Sequence, residues 1–145
     1  MAKIAHDCHV GSKNIFATCA TLAGHVEVGQ GCNIGAFSAV HQFCRVGDHA
    51  FMGGFTVATQ DVLPFMKTVG ARDTKSYGVN TIGLQRKGFS SEVVEGLKKA
   101  HRLLFHSDLL RDEAMARTEQ ELGHIAEVAY LVTFIREAKR GVHRG

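Results

Sequence analysis

His6, Asp7, Gly24, His25 and His41 are the residues of this chain whose types could do chemistry together, although they are spread over residues 6–41. An imidazole that is neutral at pH 7 suits a general base because its pKa lies nearby. A carboxylate beside it fixes its tautomer. A glycine offers a backbone N–H with no side chain in the way, and such a donor can hold a developing oxyanion. These are the parts of an acyl-transfer site. The same imidazoles could equally form a stacked surface ladder with no chemistry, or ligate a metal. Against a metal, no acidic or Cys ligand completes a clear tetrahedral set, and none is expected.

What could position these residues is a repeat. Stepping by six from Ile4 gives Ile4, Val10, Phe16, Leu22, Val28, Ile34, Val40, Val46, Met52 and Ala58, all apolar. The chance of ten such hits in a chain about half apolar is roughly one in a thousand. The residue after each anchor is Gly or Ala in eight of the ten cases. A helix would repeat every 3.6 residues and a simple strand every two. Six suits a short strand and a tight turn repeated around a triangular prism, with about 18 residues per coil. The anchor and the small residue four after it point inward, and the small residue next to the anchor is expected to turn the corner. Residues 1–63 therefore read as a little over three coils of parallel β-helix.

Residues 18 apart then stack on neighbouring coils. His6, Gly24 and Gln42 form one column, Asp7, His25 and Phe43 the next, and Ala5, Ala23 and His41 a third. His6, His25 and His41 are expected to converge on one corner. His9, Glu27 and Arg45 form an outer polar ladder. Cys8, Cys32 and Cys44 fall at the inward small position and read as buried small hydrophobes, and Cys19 is off that register. With no CxxC, disulfides and a zinc ribbon are not expected. Phe37, Phe43, Phe51 and Phe55 point outward beside Gly, which suggests a face buried against another subunit.

After Pro64 the period fails. A loop is expected over residues 64–79, then helices over 81–87, 91–106, 110–124 and 126–139, with Asn80 and Ser90 as N-caps and Gly88 as a stop. Residues 64–145 thus read as a loop and a C-terminal helical region. The charge follows the same division: residues 1–66 carry three Lys/Arg and four acids, and residues 67–145 carry fourteen and ten. The net charge of +3 is too small to argue for nucleic acid. No apolar stretch reaches the ~18 residues of a membrane span, and residues 2–7 lack the apolar core of a signal peptide, so a cytoplasmic protein is expected. Arg86 and Lys87 form either a solvated face or a phosphate site. With Lys98, Lys99 and Arg102 they make a basic cluster suited to an acidic partner. His49, His101, His106, His124 and His143 show no partner pattern and read as solvated or satisfied.

Three segments make the chain recognisable: Ile4-Ala5-His6-Asp7-Cys8, Ala20-Thr21-Leu22-Ala23-Gly24-His25-Val26 and Ala39-Val40-His41-Gln42-Phe43-Cys44. With Gln60-Asp61-Val62, Gly78-Val79-Asn80 and Gly83-Leu84-Gln85-Arg86-Lys87-Gly88-Phe89, they closely resemble the UDP-N-acetylglucosamine O-acyltransferase family, the first enzymes of lipid A biosynthesis. The resemblance implies a left-handed parallel β-helix followed by a helical bundle, assembled as a cytoplasmic homotrimer. It implies transfer of an R-3-hydroxyacyl chain from acyl carrier protein to the 3-hydroxyl of UDP-GlcNAc, at a site between subunits and with no cofactor. By motif, His6 matches the general base, and the adjacent Asp7 is its partner. Gly24 matches the oxyanion donor, and His25 a sugar-contacting His. Gln42, Asn80 and Arg86 match nucleotide-binding positions, and His41 lines the site. Gly54 matches the position that limits acyl length, where Gly leaves room for a long chain. Three features depart from the family. Its first coils, which carry an Asp and a Lys that help hold the sugar, have no counterpart here. Lys3 stands where a His is usual, and the loop near residues 71–77 is one residue longer, with no match for an acyl-selecting His. The alternatives are a trimeric scaffold or inactive fragment of such an enzyme, an N-acyltransferase on a UDP-amino-sugar, and, more remotely, a metal hydrase.

Overall fold

Each apolar anchor ends a two-residue strand. The computed structural model describes residues 1–145, and its first ten strands are β1 (Lys3–Ile4), β2 (His9–Val10), β3 (Ile15–Phe16), β4 (Thr21–Leu22), β5 (Glu27–Val28), β6 (Asn33–Ile34), β7 (Ala39–Val40), β8 (Arg45–Val46), β9 (Phe51–Met52) and β10 (Val57–Ala58). They stack in parallel as three faces, β1-β4-β7-β10, β2-β5-β8 and β3-β6-β9. Pairs such as Thr21↔Ala39 and Glu27↔Arg45 keep the 18-residue register. The result is a left-handed parallel β-helix of about four turns. Leu22, Ile34, Val40, Val46 and Met52 are almost fully buried along its axis. The first-coil anchors Ile4 and Val10 are 51% and 39% exposed.

The corners are turned differently from the expectation. The residue three after the anchor adopts the left-handed conformation: Asp7, Lys13, Cys19, His25, Gly31, Phe37, Phe43, His49 and Phe55 all have φ of 57–67°. This conformation is uncommon for residues with a Cβ, and only Gly31 among them avoids that cost. The small residue beside the anchor is small for a separate reason, the close approach of the next coil. A Cβ on Gly11 would lie 2.5 Å from the Gly29 carbonyl oxygen, and one on Gly35 would lie 2.6 Å from the backbone of Gly53 and Gly54.

The inward small position also does more than fill space. The thiols of Cys8 and Cys32 and the hydroxyl of Ser38 donate to the carbonyls of Ala23, Gly47 and Gly53, each 15 residues on (3.2, 3.1 and 2.9 Å). Asn14 donates to Gly29 and accepts from the Cys32 N–H. Burial pushes the Cys32 and Cys44 thiols up to about 11, so both are unreactive near neutrality.

The expected loop at 64–79 is instead the last solenoid strand and a hairpin. Strand β11 (Met66–Val69) stacks in parallel on β9 and turns back antiparallel into β12 (Lys75–Val79). The fourth coil is two residues short, since Val46 pairs with Val62 and Phe51 with Lys67, 16 positions apart. The six-residue count therefore ends before the stack does.

Four helices follow, α1 (Thr81–Arg86), α2 (Ser91–Phe105), α3 (Arg111–Leu122) and α4 (Ala126–Arg136). Ser90 caps α2 by accepting the Val93 N–H, and Gly88, at φ +87°, ends α1 as expected. Asn80 stands at the N-cap of α1 without a side-chain cap bond, contrary to expectation. The helices share a second core, which includes Leu84, Leu97, Leu131 and Phe134 and joins the solenoid through Leu63, Phe65 and Met66. No helix is long and apolar enough to cross a membrane.

Two histidines expected to be solvated or satisfied are buried. His143 Nε2 accepts the backbone N–H groups of Thr59 and Gln60 (3.0 and 3.1 Å). His101 lies against Ser76 Oγ at 3.2 Å, with His106 beside it. Burial, and then the charge of His106, hold His101 down to about 4. The unfolded chain takes up this proton near pH 6.5 and the folded chain only near pH 4. Stability is therefore complete above about pH 6.5, and about 3 kcal/mol of it is lost as pH falls to about 4. The urea midpoint is expected to fall between about pH 7.5 and about pH 4.5, and His101→Gln should flatten that fall. An equally steep fall in the variant would assign the acid sensitivity to other groups.

Candidate active site

The corner between β1 and β2 places His6 and Asp7 side by side, and the equivalent corner one coil on places Gly24 and His25 above them. The His25 N–H donates to the His6 carbonyl at 3.1 Å, which ties the two corners together. His6 Nδ1 lies 3.1 Å from Asp7 Oδ2, and His25 Nε2 lies 3.8 Å from the same oxygen. The His6 hydrogen bond, and then the charge of His25, hold the Asp7 carboxyl below the usual range. An ionised Asp7 favours the Nδ1–H tautomer of His6 and leaves Nε2 free as an acceptor. The ring of His25 stands edge-on to His6, with centroids 5.1 Å apart, and stacks on Phe43 at 4.7 Å.

Gly24 fits against the His6 ring. A Cβ there would lie 2.8 and 2.9 Å from His6 Cε1 and Nε2, and the Gly24 N–H has no backbone acceptor. An imidazole, a carboxylate and a backbone N–H without a backbone acceptor thus meet within one corner. Asp7 also supplies an acidic donor between two imidazoles, so three possible metal donors meet here, one short of a tetrahedral set.

The other sequence-derived residues are divided among separate places. Gln42 and His41 occupy the same corner one coil further on, both exposed, and their side chains make no hydrogen bond. His41 does not join the His6 and His25 cluster, because its column runs beside theirs rather than through it. Asn80 and Arg86 do meet, in a groove of about 370 Å³ on the β3-β6-β9-β11 face, with Lys13, Asn33, Lys67 and Lys87. That face lies opposite the His6 corner in a three-sided prism, so one chain does not bring His6 and Arg86 together. Lys87 is committed, since its ammonium reaches the Gly31 carbonyl and His49 Nδ1. Gly54 is exposed at a third corner, two coils above His6 and beside the stacked rings of Phe37 and Phe55, with 3.5 Å from an added Cβ to the nearest atom.

The columns also missed part of the site. A trough of about 580 Å³ continues from His25 and Phe43 past Arg45 and Asp61 to Lys139 and Arg140. Arg140 stands 5.9 Å over the Phe43 ring. It belongs to the tail, where no repeat relates sequence position to place. In the ladder His9, Glu27 and Arg45 are in register, but Arg45 turns away to Asp61 and to the Phe134 carbonyl.

Residues 61–143 match the family model described as Udp N-acetylglucosamine O-acyltransferase, domain 2. The acyl-[acyl-carrier-protein]–UDP-N-acetylglucosamine O-acyltransferases of Thiobacillus denitrificans and Anaeromyxobacter dehalogenans are 43% and 42% identical over 97% of this chain. The chain spans about half the length of these curated relatives, 54% of each. LpxA from Acinetobacter baumannii superposes with a TM-score of 0.90 at 33% identity, covering 97% of this chain and 54% of its own. The Arabidopsis UDP-N-acetylglucosamine acyltransferase superposes with the same TM-score at 37% identity, covering 97% and 52%. The solenoid, the matched tail and the identity along nearly the whole chain lead to one conclusion: the chain belongs to the UDP-N-acetylglucosamine O-acyltransferase family.

Proposed function

We propose that this chain transfers an R-3-hydroxyacyl group from acyl carrier protein to the 3-hydroxyl of UDP-GlcNAc, in the cytoplasm. The observation that carries the reading is the His6–Asp7 pair packed against Gly24, whose N–H has no backbone acceptor. His6 Nε2 takes the proton of the sugar hydroxyl as its oxygen attacks the thioester carbonyl. Asp7 stabilises the imidazolium, and Gly24 N–H receives the oxyanion. Collapse of the tetrahedral intermediate expels the carrier thiolate, which takes the proton from His6.

The nucleotide side is supplied by a second copy. His25 lies with the base and His41 and Gln42 further up the same corner, whereas Asn80 and Arg86 occupy the opposite face, so a ligand touching both sets bridges two chains. A ring in which the corner of one copy meets the groove face of the next satisfies this three times in a trimer. Exposed apolar residues fit such packing: Ile15 and Ile82 on the groove side, and Phe37, Phe55 and Val57 around the Gly54 corner. The acyl chain runs along this junction toward Gly54, and a longer chain gains about 0.8 kcal/mol per buried methylene while space lasts. Lys99 and Arg102, exposed on α2, remain available to an acidic carrier, while Lys98 is paired with Glu95.

The test is direct. The purified chain, incubated with UDP-GlcNAc and R-3-hydroxymyristoyl carrier protein, is expected to yield the acylated sugar nucleotide by mass. A folded assembly that yields none would overturn the reading. Gly24→Ala is expected to keep its urea midpoint, since the exposed His6 ring can move, but to lose about a hundredfold in turnover through displacement of the base. Undiminished turnover in that variant would remove Gly24 and the close contact from the mechanism.

A further inference from the structure

We propose that the His6–Asp7–His25 corner is a reversible site for a divalent cation of the zinc class, and that the bound ion inhibits acyl transfer. The donor atoms of these three residues all lie within 4.8 Å of one another. Asp7 Oδ2 stands 3.1 Å from His6 Nδ1 and 3.8 Å from His25 Nε2. A tetrahedral ion with bonds of about 2.0–2.1 Å holds its donors about 3.3 Å apart. Both measured separations fall within about half an ångström of that spacing. All three side chains are exposed, so rotations small on the scale of their freedom complete the geometry.

The donor set points to the class of ion. Two imidazoles and one carboxylate suit zinc and cobalt, whereas magnesium and calcium prefer sites built from oxygen alone. Three protein donors leave the fourth position for water, as open zinc sites do. The backbone limits how far the set can spread. Asp7 and His25 are both held at positive φ by the corner geometry, the His25 N–H is bonded to the His6 carbonyl, and Phe43 stacks against the His25 ring.

The inhibitory part rests on the acyl-transfer reading. An ion on His6 Nδ1 and Asp7 takes away the carboxylate contact that fixes the base, and it disfavours the imidazolium that catalysis must form. The binding part needs no substrate, so its test is separate.

Cobalt(II) chloride is titrated into the chelator-treated full chain. Saturable visible bands of four-coordinate cobalt are expected at one ion per chain, displaced by zinc and unaffected by magnesium. His25→Asn, chosen because Asn tolerates positive φ, and His6→Ala are each expected to weaken binding at least about tenfold. His124→Ala, on the exposed α3–α4 turn, should leave it unchanged. The absence of saturable bands, or bands unmoved by both corner variants, would overturn the site. In the transfer assay, zinc should slow product formation and chelator should restore it. Full turnover with cobalt demonstrably bound at the corner would overturn the inhibition. A metal-free chain that transfers nothing would count against the acyl-transfer reading instead, with the spectra still reporting on the site.

Discussion

Replacing His6 by Ala is expected to lower turnover by about 10²–10⁴, the usual contribution of a positioned general base. The loss should appear in kcat with little change in KM, because the proton moves only as the hydroxyl attacks. The fold should be unaffected. The His6 side chain is 74% exposed, and what it touches is Asp7, Gly24 and the edge of His25. Two imidazoles share the Asp7 carboxylate, so the assignment needs a contrast. His6 lies at hydrogen-bond distance from it and packs against Gly24, whereas His25 stands 3.8 Å away and faces Phe43. His25→Asn should therefore act more on KM. Turnover of His6→Ala within about threefold of the parent would remove His6 as the base, and a larger kcat loss in His25→Asn would transfer the role.

That corner could be read in the sequence because a solenoid turns position into place. Once ten anchors recur every six residues, an 18-residue column is a statement about contact, and it placed Asp7 beneath His25 and His6 beneath Gly24. It overreached at His41, whose column runs alongside. The small residue next to the anchor was legible as small, but its cause was not. A close approach between coils and a left-handed corner both select glycine, and only coordinates show that Gly35 has the first alone whereas Gly31 also stands at φ +67°.

The period failed where one coil shortens by two residues, so β11 was hidden although Met66 and Thr68 still face inward. The tail offered no such rule. Helical periodicity gave its four helices to within a few residues, but nothing in the spacing says that Arg140 lies over Phe43. Nor does it say that Asn80 and Arg86 share a groove on the face opposite the base. The motif resemblance named these residues without placing them.

The joint between solenoid and tail carries the second large effect. Asp61→Ala is expected to cost about 3 kcal/mol of stability, the low end for breaking a buried ion pair by removing one partner. Asp61 is nearly buried. Its carboxylate accepts the Arg45 N–H at 2.9 Å and the Arg45 Nε–H at 3.0 Å. Arg45 also donates to the Phe134 carbonyl at 2.7 Å, and its guanidinium lies 4.1 Å over the Phe134 ring. The backbone of Asp61 pairs with Gly141 and His143. The Asp61 carboxylate thus fixes Arg45, which ties β8 to the last helix, while the Asp61 backbone holds the C-terminal segment. Its removal leaves the Arg45 side chain, only 23% exposed, fixed over an aromatic ring without its counter-charge. Asp61→Asn keeps an acceptor and should cost less, while Arg45→Met strands the buried carboxylate and should cost at least as much as Asp61→Ala. Because Arg45 and Asp61 also line the trough beside His25, the Ala variant should loosen substrate binding, read as a raised KM, before it lowers kcat. The measurement is the urea midpoint at fixed chain concentration, since assembly adds to apparent stability. A change under about 0.5 kcal/mol, the ordinary surface range, would mean that the tail is held by its apolar core alone.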